Sequence, residues 1–276
     1  MKTEDIKAFY TRYNDKIFDK RLNSPYKLRR YAHIKQYQSV LSFVEPGMKV
    51  LDAGCGDGIL SVMMAKKGAI VTGCDISEPN IERCRAYAKE QGLSNIQFQL
   101  ADSEKLPFAD NSFDLVVSSH VLEHLPDFDL GLRELLRVSK KQAVAAIPTV
   151  LNKCSLVQVG HGWFYLKGPR SFAALPWGTL KMFWALVTGQ EGVNETYGGE
   201  GAPHVFRFPW IMKKKIRKNG FILKQYEASS LVIPYFEFLL PVTKFLDQYK
   251  DRKFFRNFGY GTTYLIEKPL TIGKVK

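Results

Sequence analysis

The stretch Val50-Leu51-Asp52-Ala53-Gly54-Cys55-Gly56-Asp57-Gly58-Ile59-Leu60 is an apolar run that enters three alternating glycines and then opens a helical pattern. Glycines at that spacing let a backbone turn tightly and come close to a ligand without interference from Cβ atoms. The next apolar run, 69–74, ends in Asp75, 17 residues after Gly58, near where an acidic side chain accepts both hydroxyls of a ribose. A nucleoside-containing ligand suits these residues. A nicotinamide dinucleotide turn spaces its glycines G-x-G-x-x-G, whereas this chain has G-x-G-x-G with Asp52 in front, and an acid crowded near the turn opposes a pyrophosphate. A ligand with adenosine at one end and a cationic, amino-acid-like group at the other fits better.

His120, His124, His161 and His204 are candidate bases, because an imidazole near its ordinary pKa takes a proton at physiological pH. His120 leads, since it follows a strand-like run, and open α/β sheets bind ligands at the carboxyl ends of their strands. Glu123 and His124 lie in an apolar stretch and read as residues that orient the loop. The histidines are dispersed along the chain and no carboxylate pair keeps ligand spacing with them, so no metal site is expected. Cys55, Cys74, Cys84 and Cys154 show no short paired spacing, which argues against a zinc site or a disulfide framework and fits a reducing compartment.

Strand and helix patterns alternate around these residues, which predicts an α/β fold with a parallel sheet. Strands are expected at 49–53, 70–74, 96–100, 115–118 and 143–147, and helices at 59–67, 79–91 and 130–138, with Gly68 and Gly92 at helix ends. After Pro148 the pattern gives way to a Gly-, Trp- and Phe-rich segment as far as about Phe206. A helix over 209–219 and strands over 221–226 and 261–267 resume it.

The motifs, taken in order, resemble those of class I S-adenosylmethionine-dependent methyltransferases. Asp52-Ala53-Gly54-Cys55-Gly56-Asp57-Gly58 resembles their glycine-rich motif, and Gln99-Leu100-Ala101-Asp102-Ser103-Glu104-Lys105-Leu106-Pro107-Phe108 their adenine-contacting loop. Phe113-Asp114-Leu115-Val116-Val117-Ser118-Ser119-His120-Val121-Leu122-Glu123-His124-Leu125 resembles the fourth-strand motif of the type 11 branch, which includes ubiquinone and menaquinone biosynthetic methyltransferases. The likeness spans about residues 45–148 and is specific for the cofactor, not for the acceptor. It implies a Rossmann-like, doubly wound sheet of about seven strands, the last antiparallel, with helical lid insertions. It also implies that S-adenosylmethionine lies with its methionine portion on the backbone of Gly54, Gly56 and Gly58 and its ammonium near Asp52 through water. Asp75, with Ile76 beside it, would hold the ribose, Asp102 and the Ser103 backbone the adenine, and Ser119 and His120 the methionine end. Tyr10, Tyr13, Tyr26 and Tyr31 resemble the aromatic lid helix of the same branch. The implied organisation is an N-terminal helical lid over 1–45 and a methyltransferase domain over 46–276, with lid insertions at about 149–207 and 229–258.

The whole chain, 276 residues with 45% hydrophobic and 24% charged side chains, has the composition of a folded soluble protein rather than a disordered one. Its net charge of +13 is uneven: residues 46–150 stand at −3 and the flanking segments are basic. The run 172–187 has one charge in sixteen residues, and 231–245 is similarly apolar with several aromatics. Apolar lids and basic flanks together suit a small-molecule or lipid-like acceptor and an anionic membrane surface. Nucleic acid is disfavoured, because no RNA-binding module interleaves aromatics with the basic residues. An RNA or protein methyltransferase using the basic flanks, or a non-catalytic cofactor-binding regulator, is the alternative. The polar N-terminus and the lack of a long apolar run lead to the expectation of a cytoplasmic protein, peripheral at the inner membrane face.

Overall fold

The computed structural model describes residues 3–12, 21–160, 170–196 and 203–269. Helices α1 (Thr3–Arg12) and α2 (Lys27–Leu41) precede an alternation of β1 (Lys49–Ala53), α3 (Ile59–Lys66), β2 (Ile70–Asp75), α4 (Glu78–Glu90) and β3 (Ile96–Leu100). The chain continues through β4 (Phe113–Ser119), a short 3-10 turn at Leu122–His124, α5 (Phe128–Val138) and β5 (Ser139–Ile147). An insertion follows, with α6 (Lys153–Val159), α7 (Arg170–Val187), β6 (Gly192–Thr196) and β7 (Pro203–Arg207). The chain then returns through α8 (Pro209–Lys218), β8 (Ile222–Ala228), α9 (Leu240–Leu246) and β9 (Thr262–Glu267).

Seven strands form one sheet in the order β3-β2-β1-β4-β5-β9-β8. The first five pair in parallel, and β9 runs antiparallel to both β5 and β8. From β1 the chain steps outward through β2 and β3, then returns to the other side of β1 for β4 and β5. The crevice between the carboxyl ends of β1 and β4 is therefore the switch point at which such sheets bind ligands. Helices cover both faces. Tyr37 and Val40 of α2 pack with Ile59, Leu60 and Met64 of α3 on one face, and Leu132, Leu135 and Leu136 of α5 with Met212 and Ile216 of α8 on the other. The i, i+3, i+4 spacing of the α5 leucines makes its buried stripe, and the Asp127 carboxylate caps it by accepting from Leu130 N at 2.9 Å.

Strand positions agree with the sequence reading to within four residues at each end. β5 begins at Ser139 rather than 143, because its entry residues Lys140 and Lys141 are exposed and break the apolar pattern. Gly68 and Gly92 take left-handed φ of 96° and 66° just past their helices. The β6–β7 hairpin has no counterpart in that reading, since β6 is polar and Gly-containing and β7 is a five-residue run that opens on a proline.

The insertions are tied down at particular points. A Cβ at Gly178 of α7 would stand 1.8 Å from the Leu156 carbonyl of α6, so the two helices meet backbone to backbone there. In the second insertion, Asp247 accepts from Leu231 N at 2.6 Å, Ser230 Oγ at 2.8 Å and the Tyr31 hydroxyl at 2.6 Å, which links it to α2. Phe172 of α7 meets Tyr235 and Phe236, with ring centroids 5.0 and 6.1 Å away, so the two insertions touch.

Candidate active site

The glycine turn is built by backbone conformation. Gly54, Gly56 and Gly58 have φ of 80°, 57° and 75°, in the left-handed region that side chains with a Cβ disfavour. Gly54 N and Cys55 N both donate to the Cys74 carbonyl, at 2.7 and 2.8 Å, which locks the turn to the end of β2. A Cβ would stand 2.3 Å from Val121 at Gly54 and 2.8 Å from Cys84 Sγ at Gly58, but at Gly56 it would meet nothing within 4 Å. Two of the glycines are thus needed for packing. The third leaves an open cradle that a ligand can fill.

Asp75 ends β2 beside that cradle. Its Oδ2 accepts from Gly56 N at 2.9 Å, and its Oδ1 from Ser77 N at 2.9 Å and Asn80 Nδ2 at 3.1 Å. A carboxylate offers roughly four lone-pair positions, so Oδ2 keeps one for a ligand hydroxyl. Burial pushes the Asp75 carboxyl up, and the two amides and Asn80 pull against it. Asp52 lies deeper, accepting from Ser61 Oγ at 2.5 Å. Burial, with the charges of Asp57 and Asp75 adding and Ser61 opposing, pushes it up to about 7. The ends of β2 and β3 are joined by Ala101 N donating to the Asp75 carbonyl at 2.9 Å. That brings half-buried Ile76, Asp102 and buried Ser103 alongside. Asp102 Oδ1 accepts from Glu104 N at 2.8 Å, which shapes its loop. α1 lies over this edge, since Ser77 Oγ donates to the Tyr10 carbonyl at 3.2 Å and the Tyr10 ring stands edge-on to His124.

A second group of side chains gathers at the end of β4, next to Ser119. His120 has a left-handed φ of 58°, a conformation found at strained functional positions, and its N–H continues the ladder to the Ala146 carbonyl. Gln36 Nε2 lies 2.9 Å from His120 Nε2, so the amide donates and the ring proton resides on Nδ1, 3.1 Å from Glu123 Oε1. His33 Nδ1 lies 3.1 Å from Gln36 Oε1 and extends the chain. Burial works to raise the Glu123 carboxyl, but the hydrogen bond with His120 and the adjacent histidines hold it well below its ordinary value. Burial pulls His204 down to about 3, with His124 adding. His204 Nε2 stands 4.0 Å from Glu123 Oε1, and the His124 and His204 rings are 4.6 Å apart.

Glu123, His124 and His204 are therefore one group, a proximity that their dispersion along the chain does not reveal. Eighty positions of chain separate His124 from His204, and the β7 strand that closes the gap has no sequence signal. Gln36 was also beyond that reading; its only mark is a polar residue on the buried stripe that includes Ala32, Tyr37 and Val40. His161 and Tyr13 lie outside the described residues.

A protein-family model described as "Methyltransferase domain" matches residues 51–147. Residues 51–147 are a class I methyltransferase domain of the type 11 branch. Methyltransferase GfsG of Streptomyces halstedii is 37% identical over 118 residues, 42% of this chain and 42% of its own. The ubiquinone biosynthesis O-methyltransferase of Bartonella bacilliformis is 36% identical over 104 residues, 38% of this chain and 42% of its own. The chain thus spans less than half the length of these curated relatives. The magnesium protoporphyrin IX methyltransferase of Synechocystis PCC 6803, solved with bound SAM, has the same fold: TM-score 0.55 and 18% identity, over 96% of this chain and 98% of that one. The methyltransferase domain so defined supplies the glycine turn, Asp75, Asp102 and His120. Gln36 and His204 come from outside it.

Proposed function

We propose that this protein transfers the methyl group of S-adenosylmethionine to an oxygen of a small, lipid-like acceptor. The observation that carries the cofactor is the open cradle at Gly56, bordered by Asp75 on one side and Asp52 behind. Main-chain amides and Gly56 receive the methionine portion, Asp52 faces its ammonium through water, Asp75 Oδ2 takes a ribose hydroxyl, and Asp102 accepts from the adenine amino group. Bound S-adenosylmethionine supplies an electrophilic methyl on a cationic sulfur. Aligning the nucleophile with that methyl–sulfur bond accounts for most of the rate. An acceptor hydroxyl that displaces Gln36 donates to His120 Nε2, which takes the proton as the oxygen attacks.

The acceptor class is supported by surface chemistry. Phe172, Trp177, Leu180, Phe183 and Trp184 of α7 are exposed, and the contact of Phe172 with Phe236 continues this apolar surface into the second insertion. No helix among the described residues is long and apolar enough to cross a membrane. We read the surface as the place where a lipid acceptor, or the inner membrane face that presents it, is met. The basic run of α8 favours RNA less, because Lys213 is bonded to the Tyr226 hydroxyl and Lys215 pairs with Asp129 and Glu191.

The test is calorimetric titration with S-adenosylmethionine, followed by incubation of the protein and labelled cofactor with lipid, small-metabolite and RNA fractions. Saturable binding that Asp75→Ala abolishes, with label in lipid, is expected. Absence of saturable binding overturns the cofactor reading, and label confined to RNA overturns the acceptor reading.

A further inference from the structure

We infer that Glu123, His124 and His204 form a binding site for one divalent first-row transition ion at the acceptor end of the sheet. One ligand atom from each lies within 4.8 Å of the others. Ligands held at about 2.1 Å from one ion in tetrahedral geometry stand about 3.4 Å apart, so the group closes on an ion through side-chain shifts of about an ångström.

The carboxylate itself points to a missing partner. Glu123 is 1% exposed; its Oε1 is engaged by His120, while its Oε2 is buried with no hydrogen-bond partner among the described residues. Native interiors rarely leave a carboxylate oxygen in that state unless water or a cation completes it. The surroundings hold the donors in place. His204 stacks on Phe206 with centroids 4.3 Å apart, Tyr10 stands edge-on to His124 at 5.9 Å, and His120 orients the Glu123 carboxylate, as partners of metal ligands do. The neighbouring Arg207 cation is paired with Glu191 at 3.7 Å.

Two imidazole nitrogens and one carboxylate select an ion such as Zn2+, Co2+ or Fe2+ over Mg2+ and Ca2+, which take oxygen ligands. Three protein ligands also leave a coordination position open. An acceptor hydroxyl bound there would give up its proton to His120 more readily. Its lone pair then forms the O–C bond while the C–S bond breaks, leaving sulfur as a neutral thioether. That role rests on the methyl-transfer reading; ion binding does not.

The whole chain, stripped with a chelator and dialysed, is titrated with Co2+ alone and then with Zn2+ as competitor. The site requires one Co2+ per chain, a visible d–d band without the near-ultraviolet thiolate band that the four buried cysteines would give, and displacement by Zn2+. His204→Gln and His124→Asn should each weaken Co2+ binding by about tenfold or more. Where either unfolds by circular dichroism, the near-isosteric Glu123→Gln replaces it. Substoichiometric binding, a thiolate band, or undiminished affinity in the folded variants overturns the site. A parallel titration with S-adenosylmethionine separates the two readings: ion binding without cofactor binding supports this site and counts against methyl transfer.

Discussion

The cofactor edge and the acceptor edge of this sheet are made in different ways. At the cofactor edge the groups lie within one stretch, Asp52 to Ser103, and are set by main-chain bonds: the glycine turn to Cys74, Asp75 to Gly56 and Ser77, Asp102 to Glu104. At the acceptor edge the groups come from α2, the turn after β4 and β7, and they meet only through side chains. Charge follows the same division, with −3 over residues 46–150 and a basic excess in the flanks. A ligand common to a large family is met by backbone conformation, which few sequences can alter. In the proposed reading the variable partner is met by insertions, which can change without disturbing the sheet.

The largest effects should come from breaking the cofactor edge alone. Gly56→Val places a side chain at φ 57° and fills the cradle. The left-handed backbone costs a residue with a Cβ about 1–2 kcal/mol, so the protein should still fold while S-adenosylmethionine affinity by calorimetry falls about 100-fold or more. Asp75→Ala, which also frees Gly56 N and Ser77 N, should do the same. Normal affinity in both variants would place the cofactor elsewhere.

Next in size is a change confined to the acceptor edge. Gly178→Ala forces α7 off α6, and overpacking of this kind typically costs about 1–3 kcal/mol. A lowered thermal midpoint with unchanged cofactor affinity is expected. If that affinity falls as well, the lid and the glycine turn form one cooperative unit, and the contrast between the two edges is weaker than drawn.

Legibility in the sequence divides along the same line. β1, β3 and the glycine turn could be read directly because period, glycine placement and the acid that ends β2 all express local backbone requirements. The order of motifs also carried the sheet, including its antiparallel β9. The Glu123, His124 and His204 group could not be read, because its assembly depends on the path of an insertion whose hairpin strands are only five residues long. Gln36 was invisible for the same reason: nothing local marks a glutamine that will meet His120 from another helix.

Asp52 tests how far the cofactor edge depends on charge, with an intermediate effect. Its carboxyl, raised to about 7 by burial, is protonated in the ligand-free protein at lower pH and then attracts a cation poorly. S-adenosylmethionine affinity should therefore fall about tenfold from pH 8 to pH 6, the slope of one linked proton. Stability runs the other way. A raised carboxyl favours the folded state fully below the unfolded value near 4, and that advantage is lost as pH rises through about 7. Asp52→Asn should flatten both dependences, as seen in calorimetry and in thermal melts at several pH values. An unchanged affinity profile in this variant would remove Asp52 from the ammonium.

The smallest effect on stability should have the most selective consequence for function. Trp184 and Phe183 are 67% and 54% exposed on α7. Residues that exposed bury little on folding, so Phe183→Ser with Trp184→Ser should shift stability by no more than about 0.5 kcal/mol. Interfacial binding depends on the same apolar area plus attraction to anionic headgroups. The pair should therefore lose co-flotation with phosphatidylserine vesicles while keeping cofactor affinity, and added salt should weaken flotation of the unaltered protein. Flotation that survives the double substitution would move membrane contact away from α7, leaving that surface to a soluble acceptor.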